Sequence, residues 1–97
     1  MSKISILIQL TNNKNIIKFV TNTFLTQAKS YEFTSIDNAQ LSPIAQELFY
    51  LPFVKTIYIS QNFIAIEKFP TDLTQIKWED VQNEVAETIE NYLSSGK

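Results

Sequence analysis

The chain has 97 residues, a formal net charge of −2, and no cysteine, histidine or arginine. This length suits one domain, and a hydrophobic share of 44% indicates a modest folded core rather than a disordered chain. The missing residue types exclude disulfides, thiolate metal sites and imidazole-based catalysis, and eight scattered lysines without arginine argue against nucleic-acid binding.

The N-terminal segment predicts a strand rather than a targeting or membrane segment. No signal peptide precedes the strand pattern, and the longest apolar runs fall far short of the roughly 20 residues that span a bilayer. We therefore expect a cytoplasmic protein without membrane association.

A predicted hairpin opens the fold. Residues 3–10 alternate between apolar and polar positions, which is the period of a half-buried strand, and residues 15–20 form a second β-rich run. Between them lie asparagines, which are best suited to a left-handed turn position in a chain whose lone glycine is Gly96. Residues 21–30 then fit a loop or an irregular strand.

A short strand and a well-delimited helix follow. Residues 31–34 predict a third strand, and residues 36–40 a single helical turn. Ser42 can cap the next helix, and Pro43 suits its first position because that amide needs no partner. Pro52 ends this helix, since proline has no amide hydrogen to donate.

The C-terminal third predicts a second hairpin and a long helix. Residues 54–59 and 63–68 are β-rich, and we expect Asn62 to hold the positive φ of the turn between them. Residues 70–74 predict a linker, and a helix begins near Lys77. Its apolar positions recur every three or four residues, at Trp78, Val81, Val85, Ile89 and Tyr92.

These elements predict an α+β fold in two layers, with residues 1–97 as a single domain. We expect about five strands in an antiparallel or mixed sheet, two helices on one face, and the order β-β-β-α-β-β-α. Apolar residues occur at both parities of several strands, as with Leu7 beside Ile6 and Phe63 beside Ile64. Either the second face is a contact surface, or the loop at 21–30 folds over it.

The residues supply no catalytic equipment, so we predict that the protein is not an enzyme, with no catalytic, metal-binding or cofactor-binding residues. Most glutamates lie on the outer face of the last helix. The asparagines and aspartates near 12–13 and 37–38 lack the alternating spacing of a calcium loop. A small-molecule-binding domain would instead need a concave pocket with converging polar groups.

Two groups of residues carry a family resemblance. One is Ser42-Pro43-Ile44-Ala45, Leu48-Phe49 and Leu51-Pro52-x-Val54, followed by Phe63-Ile64-Ala65-Ile66-x-Lys68. The other is Thr11, Asn13, Asn15, Lys18 and Phe19, which match a Thr-Pro-Asn-Pro-Asn-x-x-Lys-Phe run. With Trp78, they resemble the N-terminal domain of the NifU/Nfu iron–sulfur cluster scaffold proteins. Asn12 and Lys14 replace the prolines of that run, and Phe53 replaces a usual glycine.

The resemblance implies a non-catalytic interaction domain in iron–sulfur cluster assembly or delivery. Its partners would be client or assembly proteins, or its own C-terminal cluster domain. In this family the cluster ligands lie in a separate C-terminal Cys-x-x-Cys domain, which we expect to be absent here. The chain is therefore expected to bind no cofactor, and an iron–sulfur cluster is implied only for that other domain.

The resemblance also implies partner contacts at Asn13, Asn15, Lys18 and Phe19. The simpler alternative is that these asparagines only satisfy backbone turns. An alternative function is a structural adaptor that self-associates weakly through the open sheet face.

Overall fold

A computed structural model describes residues 3–26, 29–40 and 42–95. Within these ranges the chain forms five strands, three helices and one 3₁₀ turn at Ile36–Ala39. The strands are β1 (Ile6–Leu10), β2 (Ile16–Thr21), β3 (Ser30–Phe33), β4 (Val54–Ser60) and β5 (Phe63–Lys68). The helices are α1 (Pro43–Phe49), α2 (Thr71–Thr74) and α3 (Trp78–Ser94).

The five strands form one antiparallel sheet in the order β1-β2-β5-β4-β3. Both predicted hairpins are present, and β5 lies between β2 and β4 at the centre of the sheet. The predicted α+β class and element order are confirmed, and every described strand pair is antiparallel, so the mixed-sheet option does not occur.

The core lies between one face of the sheet and the helices α1 and α3. The helices bury Ala45, Leu48, Trp78, Val85 and Ile89. The strands bury Ile17, Phe19, Phe33, Val54, Ile57, Ile59, Ile64 and Ile66. Burying one large apolar side chain contributes roughly 1.5–3 kcal/mol, so this shared cluster holds the two layers together.

A register shift in β4 sets which side chains of that strand face the core. The pairing with β5 is irregular between Val54 and Thr56, which places Lys55 at the irregularity. Val54 and Ile57 are therefore both buried although three positions separate them, and a regular strand would place them on opposite faces.

The turn between β4 and β5 differs from the prediction. Gln61, not Asn62, has the positive φ, at 48°. Asn62 instead joins the turn to β2, because its carbonyl accepts from the Thr21 amide at 2.7 Å and its side chain donates to the Thr21 carbonyl at 3.3 Å. The prediction was wrong because these long-range bonds outweigh the local preference of asparagine for left-handed backbone.

The predicted linker at 70–74 also differs, since it contains the one-turn helix α2. Its end is closed by the Gln75 amide, which donates to the Thr71 carbonyl at 2.6 Å while Gln75 takes a left-handed φ of 62°. A four-residue helix has too few positions to show an apolar period, so the sequence pattern could not reveal it.

Candidate interaction surfaces

The turn at residues 11–16 is shaped by side-chain hydrogen bonds. The Asn13 carboxamide oxygen accepts from the Asn15 amide at 2.9 Å, and the Thr11 hydroxyl accepts from the Asn13 amide at 3.2 Å. No residue of this turn has a positive φ, so the predicted left-handed asparagine is wrong. Asparagine and threonine fit here because their oxygens reach backbone amides two residues away.

Asn15 joins this turn to the head of α3. Its carbonyl accepts from the Trp78 indole nitrogen at 2.8 Å and from the Lys68 amide at 2.9 Å. Trp78 also packs against Phe19 and Phe53, with ring centroids 5.8 and 5.9 Å away. Trp78 is buried, as its place in the apolar repeat of the last helix predicts.

The four predicted contact residues lie in three different places. Asn13 and Asn15 lie in the turn, Lys18 lies on the sheet face opposite the helices, and Phe19 has no exposed surface. The prediction of Phe19 as a direct contact therefore needs correction. Its side chain supports Trp78 inside the core and cannot touch a partner in this conformation.

The sheet face opposite the helices, called the open face below, has an apolar centre. It carries Leu7, Val20, Tyr58, Phe63 and Ala65, which the strand registers place next to one another. Leu7 is 63% exposed and Tyr58 40% exposed. Among the described residues, no helix or loop covers this centre, which is the arrangement expected of a contact surface.

Charged side chains border the apolar centre of the open face. The Lys18 ammonium lies 4.3 Å from the centroid of the Phe63 ring, and that ring lies 6.1 Å from the Tyr58 ring. At the other side, Glu67 accepts from the Thr56 hydroxyl at 3.1 Å and pairs with Lys55 at 3.9 Å. An ammonium over an aromatic ring is attracted by the negative face of that ring.

The loop after β2 does not cover the open face over its described part. Leu25 packs against the core, and Phe24 to Thr26 border a groove formed with β3, α1 and the end of α3. This groove has a volume of about 850 Å³ and lies on the helix side of the sheet. Gln27 and Ala28, which also belong to the predicted loop, lie outside the described residues.

A second concave feature, called the lysine cleft below, lies beside the turn at 11–16. It has a volume of about 350 Å³, and its lining includes Lys14, Asn15, Lys68, Lys77 and Trp78. Lys68 is only 1% exposed, and its ammonium donates to the Phe69 carbonyl at 3.1 Å and to the Thr71 hydroxyl at 3.0 Å. Burial lowers the pKa of Lys68. The negative charge of Asp72 acts to raise that pKa, and the positive charge of Lys14 lowers it further.

The sequence reasoning missed Lys68 as a buried charge. A signal was available, because Lys68 follows Ile64 and Ile66 at the core-facing parity of β5. A lysine in that series is unusual, since a buried ammonium is unfavourable unless it finds partners.

The described residues form neither a metal-binding cluster nor a membrane-crossing helix. Within residues 3–26, 29–40 and 42–95, no three histidine, cysteine, aspartate or glutamate side chains gather where they could hold a metal ion. In the same part of the chain, no helix has both the length and the apolar character needed to cross a bilayer.

Comparison with known families decides the relationship that the motifs suggested. The family described as "Scaffold protein Nfu/NifU N terminal" matches residues 6–96. The chain belongs to this family. The matched range includes the turn at 11–16, the open face and the described lining of the lysine cleft.

A longer human protein aligns with most of this chain. The "NFU1 iron-sulfur cluster scaffold homolog, mitochondrial" of Homo sapiens is 26% identical over 88 residues. The alignment covers 91% of this chain and 34% of the human protein. The chain thus spans about a third of the length of that relative.

Two solved structures have a similar fold. Protein SAV1430 from Staphylococcus aureus, a crystal structure, has a TM-score of 0.70 and 25% identity, covering 91% of this chain and 99% of its own. The solution structure of a NifU-like protein from Saccharomyces cerevisiae has a TM-score of 0.79 and 24% identity. The match covers 96% of this chain and 81% of the yeast chain.

Proposed function

We propose that this Nfu/NifU N-terminal domain acts in iron–sulfur cluster assembly or delivery as a non-catalytic protein-binding domain. The open face is the observation that carries the proposal. Its partner would be a client protein, another assembly protein, or a cysteine-bearing cluster domain of the same family.

The chemistry of the open face supports protein binding. Aromatic and aliphatic side chains at its centre can be desolvated together, while Lys18 and Glu67 at the border offer charges that orient a partner. An apolar centre with a polar rim is the usual anatomy of a protein–protein interface. The energy of such interfaces concentrates in central aromatic residues, here Tyr58 and Phe63.

The residue types support a role that does not include cluster ligation by this chain. Cluster irons are held mainly by cysteine thiolates, and histidine replaces cysteine in some centres. This chain contains neither, so we propose that the cluster is held by the partner. The predicted cytoplasmic location stays a prediction, since the name of the human relative places that protein in mitochondria.

A binding measurement with paired variants tests the proposal. We expect Leu7→Lys combined with Tyr58→Lys to weaken binding to the cysteine-bearing cluster domain of a Nfu/NifU scaffold at least tenfold, because both residues lie on the open face. Tyr50→Lys is the matched control, since Tyr50 is an exposed aromatic at the end of α1. Isothermal titration calorimetry in which the control weakens binding as much as the double variant would contradict the proposal.

A second candidate function is self-association through the same face. One edge of β1 pairs with β2 and its other edge pairs with no described strand, while Leu7 of this strand is well exposed on the open face. Unpaired strand edges readily add another strand. Sedimentation equilibrium tests this function: a dimer that Leu7→Lys dissociates would support it, and a strict monomer at high concentration would remove it.

A further inference from the structure

The lysine cleft contains a buried charge that forms no ion pair with any described residue. Lys68 is the most deeply buried charged side chain of the described residues, and its two side-chain hydrogen bonds go to a neutral carbonyl and a neutral hydroxyl. Across residues 3–26, 29–40 and 42–95, the one ion pair within 4.0 Å joins Lys55 to Glu67 on the other face. A buried ammonium is costly unless an opposite charge compensates it.

The other groups that line the cleft make it locally positive. Lys14 and Lys77 lie at its border with Lys68, and Asp72 and Glu79 are the carboxylates of the lining. Three ammonium groups against two carboxylates leave one positive charge, in a chain whose net charge is −2. Lys14 and Asp72 are close enough to Lys68 to change its pKa in opposite directions.

The size and charge of the cleft select the class of ligand. A volume of about 350 Å³ is at the small end for a ligand pocket, which suits one functional group with a short chain. A lining with one excess positive charge balances a singly charged group better than a doubly charged phosphate. Ammonium donors and a single negative group then form charge-assisted hydrogen bonds, which are stronger than neutral ones.

We propose that the lysine cleft binds a carboxylate group, with Lys68 supplying the buried positive charge and Lys14 and Lys77 the charges at its entrance. The carboxylate belongs either to a small free organic acid or to the C-terminus of a peptide. This site lies on the helix side of the sheet, so it is separate from the open face and independent of the proposed protein-binding function.

The single tryptophan gives a direct readout. Trp78 lines the cleft, and its indole N–H donates to the Asn15 carbonyl, so binding should shift the one indole resonance in a ¹H–¹⁵N spectrum. Sodium acetate would be titrated against sodium chloride at matched ionic strength. Acetyl-trialanine with a free C-terminus, and the same peptide as its amide, would form the second arm.

We expect a saturable shift with acetate that chloride does not produce. Lys68→Met should weaken binding about tenfold or more, because a hydrogen bond to a charged group is stronger than one between neutral groups. Tighter binding of the free-acid peptide than of acetate, with none of the amide, assigns the site to peptide C-termini. Equal binding of acetate and the free-acid peptide assigns it to small free acids.

A second cleft variant and one control accompany Lys68→Met. Lys77→Gln should weaken binding about threefold at a position that is exposed, so it remains informative even if Lys68→Met does not fold. Lys29→Gln is the control. It removes the same charge at the opposite end of the β4–β5 hairpin and should leave the affinity for acetate unchanged. The proposal is overturned if acetate behaves like chloride, or if neither cleft variant binds more weakly than Lys29→Gln.

Discussion

At the scale of single residues, Trp78 connects three parts of the fold. Its ring packs against Phe19 of β2 and against Phe53, which precedes β4, while its indole nitrogen bonds the Asn15 carbonyl of the first turn. Phe53 thus fills space beside Trp78 with an aromatic ring. The head of α3 is thereby fixed to the sheet at the point where the lysine cleft opens.

Trp78→Phe should lower the free energy of unfolding by about 1–3 kcal/mol, because it removes one buried hydrogen bond and part of an aromatic contact. Urea denaturation followed by circular dichroism measures this change. Tyr50→Phe is the control and should change stability by less than about 0.5 kcal/mol, since Tyr50 is an exposed residue. Equal effects of the two substitutions would contradict the role given to Trp78.

Lys68 makes stability depend on pH in a defined direction. Burial lowers the pKa of Lys68 from its usual value near 10.5, so the unfolded chain binds this proton more tightly than the folded one. Stability must then rise with pH between the lowered folded pKa and 10.5, as the unfavourable buried charge is lost.

The free energy of unfolding that Lys68→Met gains over the natural chain should therefore be largest at neutral pH. The difference in unfolding free energy between this variant and the natural chain should shrink as pH rises toward about 10.5. Urea denaturation of both proteins at several pH values, in buffers free of carboxylates, measures it. A difference that stays constant with pH would show that Lys68 has an ordinary pKa in the folded protein.

At the scale of elements, the turns depend on side chains because no glycine is available to them. The first turn depends on Thr11 and Asn13, whereas Gln61 and Gln75 accept left-handed backbone. A residue with a Cβ atom in that conformation is strained by roughly 1 kcal/mol. The sequence predicted the positions of the first turn and of the β4–β5 turn correctly, but not that of Gln75. It also did not predict which residue of the β4–β5 turn carries the strain, since that depends on long-range bonds such as those of Asn62.

Asn13→Ala should destabilise the protein by about 1 kcal/mol, because the Asn15 amide loses its acceptor. Asn13→Asp retains that acceptor and should stay within about 0.5 kcal/mol of the natural chain. Thermal unfolding compares the three proteins. If the alanine variant keeps its stability but loses partner binding, then Asn13 contacts a partner and the turn does not need its side chain.

Gln61→Gly should stabilise the protein by about 0.5–1 kcal/mol, because glycine adopts positive φ without steric cost. Gln82→Gly, in the interior of α3, is the control and should destabilise by about 1 kcal/mol. Thermal unfolding should show a higher melting temperature for Gln61→Gly and a lower one for Gln82→Gly than for the natural chain. Destabilisation by Gln61→Gly would mean that the Gln61 side chain makes a contact that outweighs its backbone strain.

At the scale of the whole molecule, one sheet separates two surfaces with different chemistry. The helix side holds the core and the lysine cleft, and the other side is the open face. The alternation of apolar residues was enough to predict the layers and the element order, because those depend on periodicity, but it left open whether the loop at 21–30 covers the second face. The lysine cleft was beyond that reasoning, since Lys14, Lys68 and Lys77 are distant in sequence and only the fold brings them together.

The placement of the predicted contact residues follows the same logic. Lys18 and Phe19 are neighbours in the motif, but neighbouring strand residues point to opposite faces, so only Lys18 reaches the open face. A sequence motif identifies the family without separating residues that support the fold from residues that can meet a partner.

The most direct test of the central claim is chemical-shift mapping of the ¹⁵N-labelled domain with the cysteine-bearing cluster domain of a Nfu/NifU scaffold, in its apo and cluster-loaded forms. We predict that the perturbed amides cluster at Lys18, Tyr58 and Phe63 on the open face, with the helices α1 and α3 unaffected. The absence of any perturbation with that domain and with an apo client protein, or perturbations confined to the helix side, would contradict the account.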